Sequence, residues 1–331
     1  MDMQTEVSKS KSIGASAKAD VLELSLKDYI SGDSTTKQKF IEDLFYGLKD
    51  SGFIILKDHP IEVSLLDKAY DLSQKFFDLD ETTKKQYVYG GGGGVRGYTP
   101  FGTEHAKDSP APDLKEFWHV GRPLKMEHPL SATYPANIWP QEVSEFEAVF
   151  TEFYNKLDDV GRIMLEALTG PLGLDTDYFA KLTQDGNSIL RLLHYPPIAE
   201  GTDPNCVRAA AHEDINLITI LVSASTSGLE LLDRQGRWLA VETDRNNLIV
   251  DAGDMLARIT NDVIPSTTHR VVNPKDGQNV SRYSMPYFMH PHPEAVLSCI
   301  DSCKGETGPK YPDILSEEFL MQRLREIGLI K

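Results

Sequence analysis

Cysteine is scarce in this 331-residue chain: Cys206, Cys299 and Cys303 make an odd set, too sparse for a disulfide scaffold and suited to a reducing compartment. Cys299 and Cys303 have no second cysteine pair to complete a structural metal site, so they read as ordinary thiols. Basic residues are in deficit, and the net charge of −16 argues against nucleic acid or an anionic membrane surface as the main partner. No apolar run reaches membrane-spanning length. Residues 1–20, rich in Ser, Lys, Ala and acids, are expected to form a flexible tail rather than a signal peptide or span, which makes the cytoplasm the default location. The glycine run 90–94 lacks the Gly-Lys-Ser/Thr ending of a phosphate loop; with Val95-Arg96-Gly97-Tyr98 following, it reads as a loop that could hinge a lid.

What is present is ordinary globular composition, 40% apolar, in a chain long enough for a large core. A short strand is expected over 21–26 and a helix over 35–50, with Phe40, Leu44, Phe45 and Leu48 on its buried side and Gly52 ending it. A strand over 53–56 and an amphipathic helix over 63–77 follow. The longest helix is expected over 141–168, where Phe146, Val149, Phe150, Phe153, Leu157, Val160, Met164 and Leu168 recur at three- and four-residue steps. From 189 to 290 the pattern changes to short β segments broken by Gly, Asn, Asp and Pro, the mark of an all-β sandwich. A closing helix is expected over 316–330, with Phe319, Leu320, Leu324 and Ile327 on one side.

The chemistry-bearing residues lie in the β region. His212 and Asp214 are two apart, so in a strand they share a face while Glu213 points away, and 217–222 continues that strand. Residues 267–272 and 281–288 read as two further strands, closed into a hairpin by Asn273-Pro274-Lys275-Asp276-Gly277. That hairpin would set His269 and Arg282 on neighbouring strands, with Ser284 on the face of Arg282. Two imidazoles and a carboxylate on one face of an octahedral ion leave positions open, the chemistry of mononuclear non-haem Fe(II) oxygenases. Arg282, with Ser284 two positions on, could grip the far carboxylate of a dicarboxylic acid, because the guanidinium fork binds a carboxylate bidentately. The pair His292-Pro293-Glu294 is a poor rival, since no histidine follows it. His212-Glu213 resembles a zinc-protease start, but position 216 is Asn.

Across almost its whole length the chain resembles the isopenicillin N synthase-like family of Fe(II)- and 2-oxoglutarate-dependent dioxygenases. The resemblance rests on 51–59 (SGFIILKDH), Gly97-Tyr98-Thr99-Pro100, 113–118 (DLKEFW), 189–197 (ILRLLHYPP), Gly253-Asp254-Met255-Leu256, Thr260-Asn261-Asp262 and 266–272 (STTHRVV). It implies a double-stranded β-helix, or jelly roll, mainly β with flanking N-terminal and central helices. It implies that His212, Asp214 and His269 ligate iron, that Arg282 and Ser284 hold the distal carboxylate of 2-oxoglutarate, and that Tyr195 contacts the co-substrate or substrate. Many plant members carry Asn where Leu193 stands here, so that contact is missing or moved. Tyr98, Phe101, Glu104, Trp118, Arg122 and Phe288 lie in segments similar to pocket-lining parts of the family.

The cofactors implied are Fe(II), 2-oxoglutarate as co-substrate and O2, with ascorbate as a candidate reductant; the reaction is oxidation of a C–H bond of a small molecule with release of succinate and CO2. Hydroxylation, desaturation and cyclisation all stay open, as does oligomeric state. So do two rivals: a 2-oxoglutarate-independent oxidase of the isopenicillin N synthase or 1-aminocyclopropane-1-carboxylate oxidase type, and a non-catalytic metal-binding jelly roll. The expected organisation is a tail, 1–20, and one catalytic unit, 21–331. Within that unit, 21–180 packs on the barrel, 186–293 forms the jelly-roll core and 294–331 closes it.

Overall fold

The computed structural model describes residues 16–90, 95–104, 111–274 and 278–326. Twelve strands build the two sheets that matter for function. They are β1 (Glu23–Ser25), β2 (Phe53–Lys57), β3 (Gly97–Thr99), β4 (Glu116–Gly121), β5 (Ile189–Tyr195), β6 (Ala209–His212), β7 (Ile218–Val222), β8 (Leu229–Leu232), β9 (Trp238–Ala240), β10 (Leu248–Ala252), β11 (His269–Val271) and β12 (Arg282–Met289). The large sheet runs β1-β2-β10-β7-β12-β5-β4-β3 and the small one β6-β11-β8-β9. All pairings are antiparallel except β1 with β2. The N-terminal strands therefore complete the edges of the large sheet, and the mainly β jelly roll with flanking helices is as the sequence led us to expect.

Period-two alternation divides the large sheet's faces. On β12, Tyr283, Met285, Tyr287 and Met289 enter the main core, while Arg282, Ser284 and Phe288 face the space between the sheets. The helix Phe146–Thr169 covers the outer face; Tyr154 packs edge-on against Tyr287 at 5.1 Å between ring centroids. It begins five residues later than expected, with Glu145 in the left-handed region at φ 64° just before its first turn. The helices Ser34–Ser51 and Val63–Phe77 lie where the periodicity puts them, and Gly52, at φ 73°, caps the first of these by donating its N–H to Leu48. The sequence reading missed the short helix Leu26–Ser31, which follows β1 directly.

Two strand expectations are corrected. The segment from His212 to Val222 is not one strand: β6 ends at His212 in the small sheet and β7 starts at Ile218 in the large one. The break lets the chain cross between the layers of the sandwich. Nor do β11 and β12 form a hairpin, because β11 pairs with β6 and β8 whereas β12 pairs with β5 and β7. The connection between them spans the layers, so His269 and Arg282 meet across the sandwich rather than along a ladder.

Most of the glycine run, the Lys275-Asp276-Gly277 turn, residues 1–15 of the tail and the end of the last helix, including Ile327, lie outside the described residues. Among the described residues the last helix is Ser316–Glu326, and no helix is long and apolar enough to cross a membrane. All three cysteines are free thiols.

Candidate active site

Between the sheets, three side chains from separate segments converge. His212 ends β6, His269 begins β11 as its register partner, and Asp214 sits in the crossing that follows β6. Lacking a ladder, Asp214 is held by the start of the helix Asp254–Ile259: the Asp254 N–H donates to the Asp214 carbonyl at 2.7 Å, and the Met255 N–H to that of Asn216 at 3.0 Å. Gly253 permits this docking, since a Cβ there would lie 2.3 Å from the Asn216 carbonyl oxygen.

The donor atoms of the three residues lie within 4.8 Å of one another. Asp214 Oδ1 is 3.9 Å from His212 Nε2 and 4.0 Å from His269 Nε2. His212 Nδ1 faces the Ala210 carbonyl at 2.7 Å, and His269 Nδ1 the Thr267 carbonyl at 3.1 Å. A carbonyl only accepts, so each Nδ1 carries its proton and each Nε2 presents a lone pair to the cluster. The Thr219 hydroxyl donates to Asp214 Oδ2, itself receiving a bond from Asn216 Nδ2 at 2.9 Å, which leaves Oδ1 turned toward the imidazoles. Burial first, and then the neighbouring His269, push the His212 imidazole down to about 4, against the pull of Asp214. Two imidazole nitrogens and one carboxylate oxygen suit a divalent iron with open positions.

Arg282 closes one end of the same cavity and is 1% exposed. Its Nε donates to the Thr226 carbonyl at 3.2 Å, and Nη1 has no partner among the described residues. Burial holds its pKa below the usual arginine value, yet it stays a cation. The Tyr195 ring lies 5.1 Å from its guanidinium carbon, and Ser284 lines the cavity beside it. A buried guanidinium with an orphaned donor fits the end of an anionic molecule reaching in from the metal.

The substrate-side expectations divide by strand face. Phe288 lines the cavity. Trp118 and Tyr98 do not: they are cross-strand partners turned into the main core, and Trp118 packs 4.7 Å from the Phe76 ring. Arg122 lies away from the cavity, bonded to Asp158 at 3.1 Å and to the Gly186 carbonyl. Phe101 is on the surface, and Glu104 is engaged by Lys115 and Arg191 at 2.7 and 3.2 Å.

Sequence reasoning missed Lys115, Arg191, Phe53, Thr219 and Asp251, all of which line the cavity. Arg191 lies over the Phe117 ring at 4.2 Å and the Phe288 ring at 5.4 Å. Asp251 is an acid inside the apolar strand β10, and that interruption was the available signal. Burial, reinforced by the Asp214 carboxylate, raises its pKa well above the usual carboxylate value.

A jelly roll that gathers two imidazoles, a carboxylate and a buried arginine around one cavity defines a mononuclear non-haem iron oxygenase. Residues 20–142 match the family described as "non-haem dioxygenase in morphine synthesis N-terminal", and 186–291 match the "2OG-Fe(II) oxygenase superfamily". A 2-oxoglutarate-Fe(II) type oxidoreductase of Aspergillus fumigatus is 30% identical over 302 residues, 88% of this chain and 89% of that protein. A 2OG-Fe(II) oxygenase family protein from Caulobacter crescentus is 42% identical, with TM-score 0.83 over 95% of this chain and 100% of that one. A full-length Neurospora crassa protein, solved in complex with alpha-KG and thymine, is 31% identical, with TM-score 0.82 over 94% of this chain and 99% of that one. The chain belongs to the 2OG-Fe(II) oxygenase superfamily. It is an Fe(II)- and 2-oxoglutarate-dependent enzyme that uses O2 to oxidise a small molecule, and neither the 2-oxoglutarate-independent nor the non-catalytic alternative is favoured.

Proposed function

We propose that His212, Asp214 and His269 hold the iron, that Arg282 and Ser284, flanked by Tyr195, hold the distal carboxylate of 2-oxoglutarate, and that substrate enters past Phe288 and Arg191 to be hydroxylated. The convergence of the three donor atoms within 4.8 Å carries this reading. When bound, Fe(II) with 2-oxoglutarate and O2 would supply the oxidant for a C–H bond, 2-oxoglutarate leaving as succinate and CO2. The protein's share is orientation. The Ala210 and Thr267 carbonyls fix both imidazoles as Nδ1–H tautomers and turn each Nε2 lone pair to the iron, which would leave neither histidine a free nitrogen to act as a general base. The Thr219 hydroxyl aims the Asp214 carboxylate, and the buried Arg282 sets how far the co-substrate reaches. Phe288, with the Arg191 guanidinium over its ring, offers a flat apolar face edged by N–H donors, which suits a planar small molecule bearing carbonyl oxygens.

The test is Fe(II)-dependent succinate release from 2-oxoglutarate in wild type and in His212→Ala, Asp214→Ala and His269→Ala, with circular dichroism to confirm folding. Each variant should lose turnover; wild-type turnover in any of them removes that residue from the ligand set. A panel of planar carbonyl compounds, with thymine among them because the Neurospora crassa protein is described with it, is then screened for stimulation of succinate release.

A further inference from the structure

One buried ion chain outside the donor set joins the pocket mouth to a proposed iron ligand. Among the described residues, strand β6 is the edge of the small sheet, paired with β11 alone, and its register slips between His269 and Val271. An edge strand leaves alternate N–H groups without a ladder partner. Here the outward N–H of Ala210 donates to Asp113 Oδ1 at 3.0 Å. The carbonyl of the same residue accepts from His212 Nδ1 at 2.7 Å. Asp113 Oδ2 in turn lies 2.8 Å from Lys115 Nζ, which lies 2.7 Å from Glu104, which reaches Arg191 at 3.2 Å. The Leu114 N–H bonds the Val207 carbonyl at 2.9 Å, so this segment runs along the free edge of β6.

The side chains of Asp113 and Lys115 are 4% and 8% exposed. Burial works against the Lys115 ammonium, but Glu104 and Asp113 outweigh it and hold its pKa above the usual lysine value. Replacing buried ion pairs by apolar groups is often neutral or stabilising, so stability alone does not account for this chain. Its geometric effect is specific: it pins the peptide that fixes the tautomer and direction of His212.

We propose that Asp113 and Lys115 are positioning residues of the metal centre, holding the edge strand that carries His212 while anchoring, through Glu104, the Arg191 side chain at the pocket mouth. This rests on His212 being an iron ligand. Asp113 does not touch the iron site; it acts through the Ala210 peptide.

The experiment is an anaerobic Fe(II) titration of metal-free full-length protein, in the presence of 2-oxoglutarate, for wild type, Asp113→Ala, Asp113→Asn and His212→Ala, alongside thermal unfolding of each metal-free form. Asp113→Ala should bind Fe(II) about tenfold more weakly, the lower end of what losing a partner that orients a metal ligand costs. Asp113→Asn, whose side-chain oxygen can still accept from Ala210 but which no longer pairs with the Lys115 ammonium, should recover only part of that loss. A merely structural role would lower the unfolding temperature of Asp113→Ala and leave its Fe(II) affinity at the wild-type value, and that result overturns the proposal. His212→Ala separates the two levels: intact Fe(II) binding there removes the ligand assignment, and the proposal with it. If Asp113→Ala does not fold, Lys115→Met takes its place, stripping Asp113 of its cation while leaving the bond to Ala210. Weaker Fe(II) binding in Lys115→Met supports the proposal and unchanged binding overturns it.

Discussion

Arg282 and Tyr195 are register partners on β12 and β5, and the guanidinium carbon of one lies 5.1 Å from the ring centroid of the other. The contact fixes the plane of a buried fork whose Nη1 has no hydrogen-bond partner among the described residues. Arg282→Ala should weaken 2-oxoglutarate binding by about 2–5 kcal/mol, the range for truncating one side of a buried charge pair. Arg282→Lys should fall between, because an ammonium is a point charge and not a fork. Ser284→Ala should cost about 1 kcal/mol, one hydrogen bond. Fe(II) affinity should stay unchanged in all three, as measured by titration of each ligand separately; Arg282→Ala binding 2-oxoglutarate like wild type would refute the co-substrate role.

Thr219→Val is the mildest probe of the proposed iron site. It removes the hydroxyl that donates to Asp214 Oδ2 and keeps nearly the same volume in a fully packed position. With no donor to aim it, the carboxylate is free to rotate, and Fe(II) affinity should drop by about tenfold or more, while 2-oxoglutarate still reaches Arg282. A titration showing unchanged Fe(II) affinity would mean that the Asp254 N–H to Asp214 carbonyl bond positions the ligand on its own.

Much of the site was legible because its chemistry is carried by rare residue types at fixed spacing. His212, Asp214, His269, Arg282 and Ser284 do converge on one cavity. What could not be read was how the chain brings them there. Spacing alone treats His212 to Val222 as one strand, yet the chain changes sheets after His212 and Asp214 is fixed by a helix start more than thirty residues downstream. Long-range pairing decides that, and no local pattern encodes it. The same limit explains the choice of Trp118: the family resemblance marks its segment as pocket-lining, but strand parity sends Trp118 to the core and Phe117 to the cavity side, under Arg191. Lys115 and Asp251 went unread because a charge in a strand, or just before one, looks solvated until the opposing layer is known.

A pH dependence follows from His290. Burial pushes its imidazole down to about 4, so the folded protein binds its proton less readily than the unfolded chain, whose histidines titrate near the ordinary value of about 6.5. The stability of the metal-free protein should therefore be complete above the unfolded value and fall as pH drops from about 6.5 toward 4, where the folded group titrates in turn. Chemical denaturation of wild type and His290→Gln across that window tests the assignment. The stability difference between them should change with pH; a constant difference assigns the acid sensitivity to other groups.

The last prediction separates packing from substrate contact on two aromatic residues that the sequence alone ranked together. Trp118 is fully buried among Phe76, Tyr87 and Phe146. Trp118→Ala should cost about 3–5 kcal/mol of stability through the cavity it leaves, and the folded fraction should keep the wild-type KM for substrate. Phe288 faces the cavity, with Arg191 over its ring. Phe288→Ala should destabilise less, because the residue is only partly buried, but it should raise the substrate KM. It should also let 2-oxoglutarate decarboxylation run without product, since substrate would no longer be held against the reacting centre. The measurement is the ratio of succinate to oxidised product, taken beside a denaturation curve for each variant. If Phe288→Ala keeps wild-type KM and coupling while Trp118→Ala loses both, substrate enters from the opposite face of β4 and the proposed mouth is wrong.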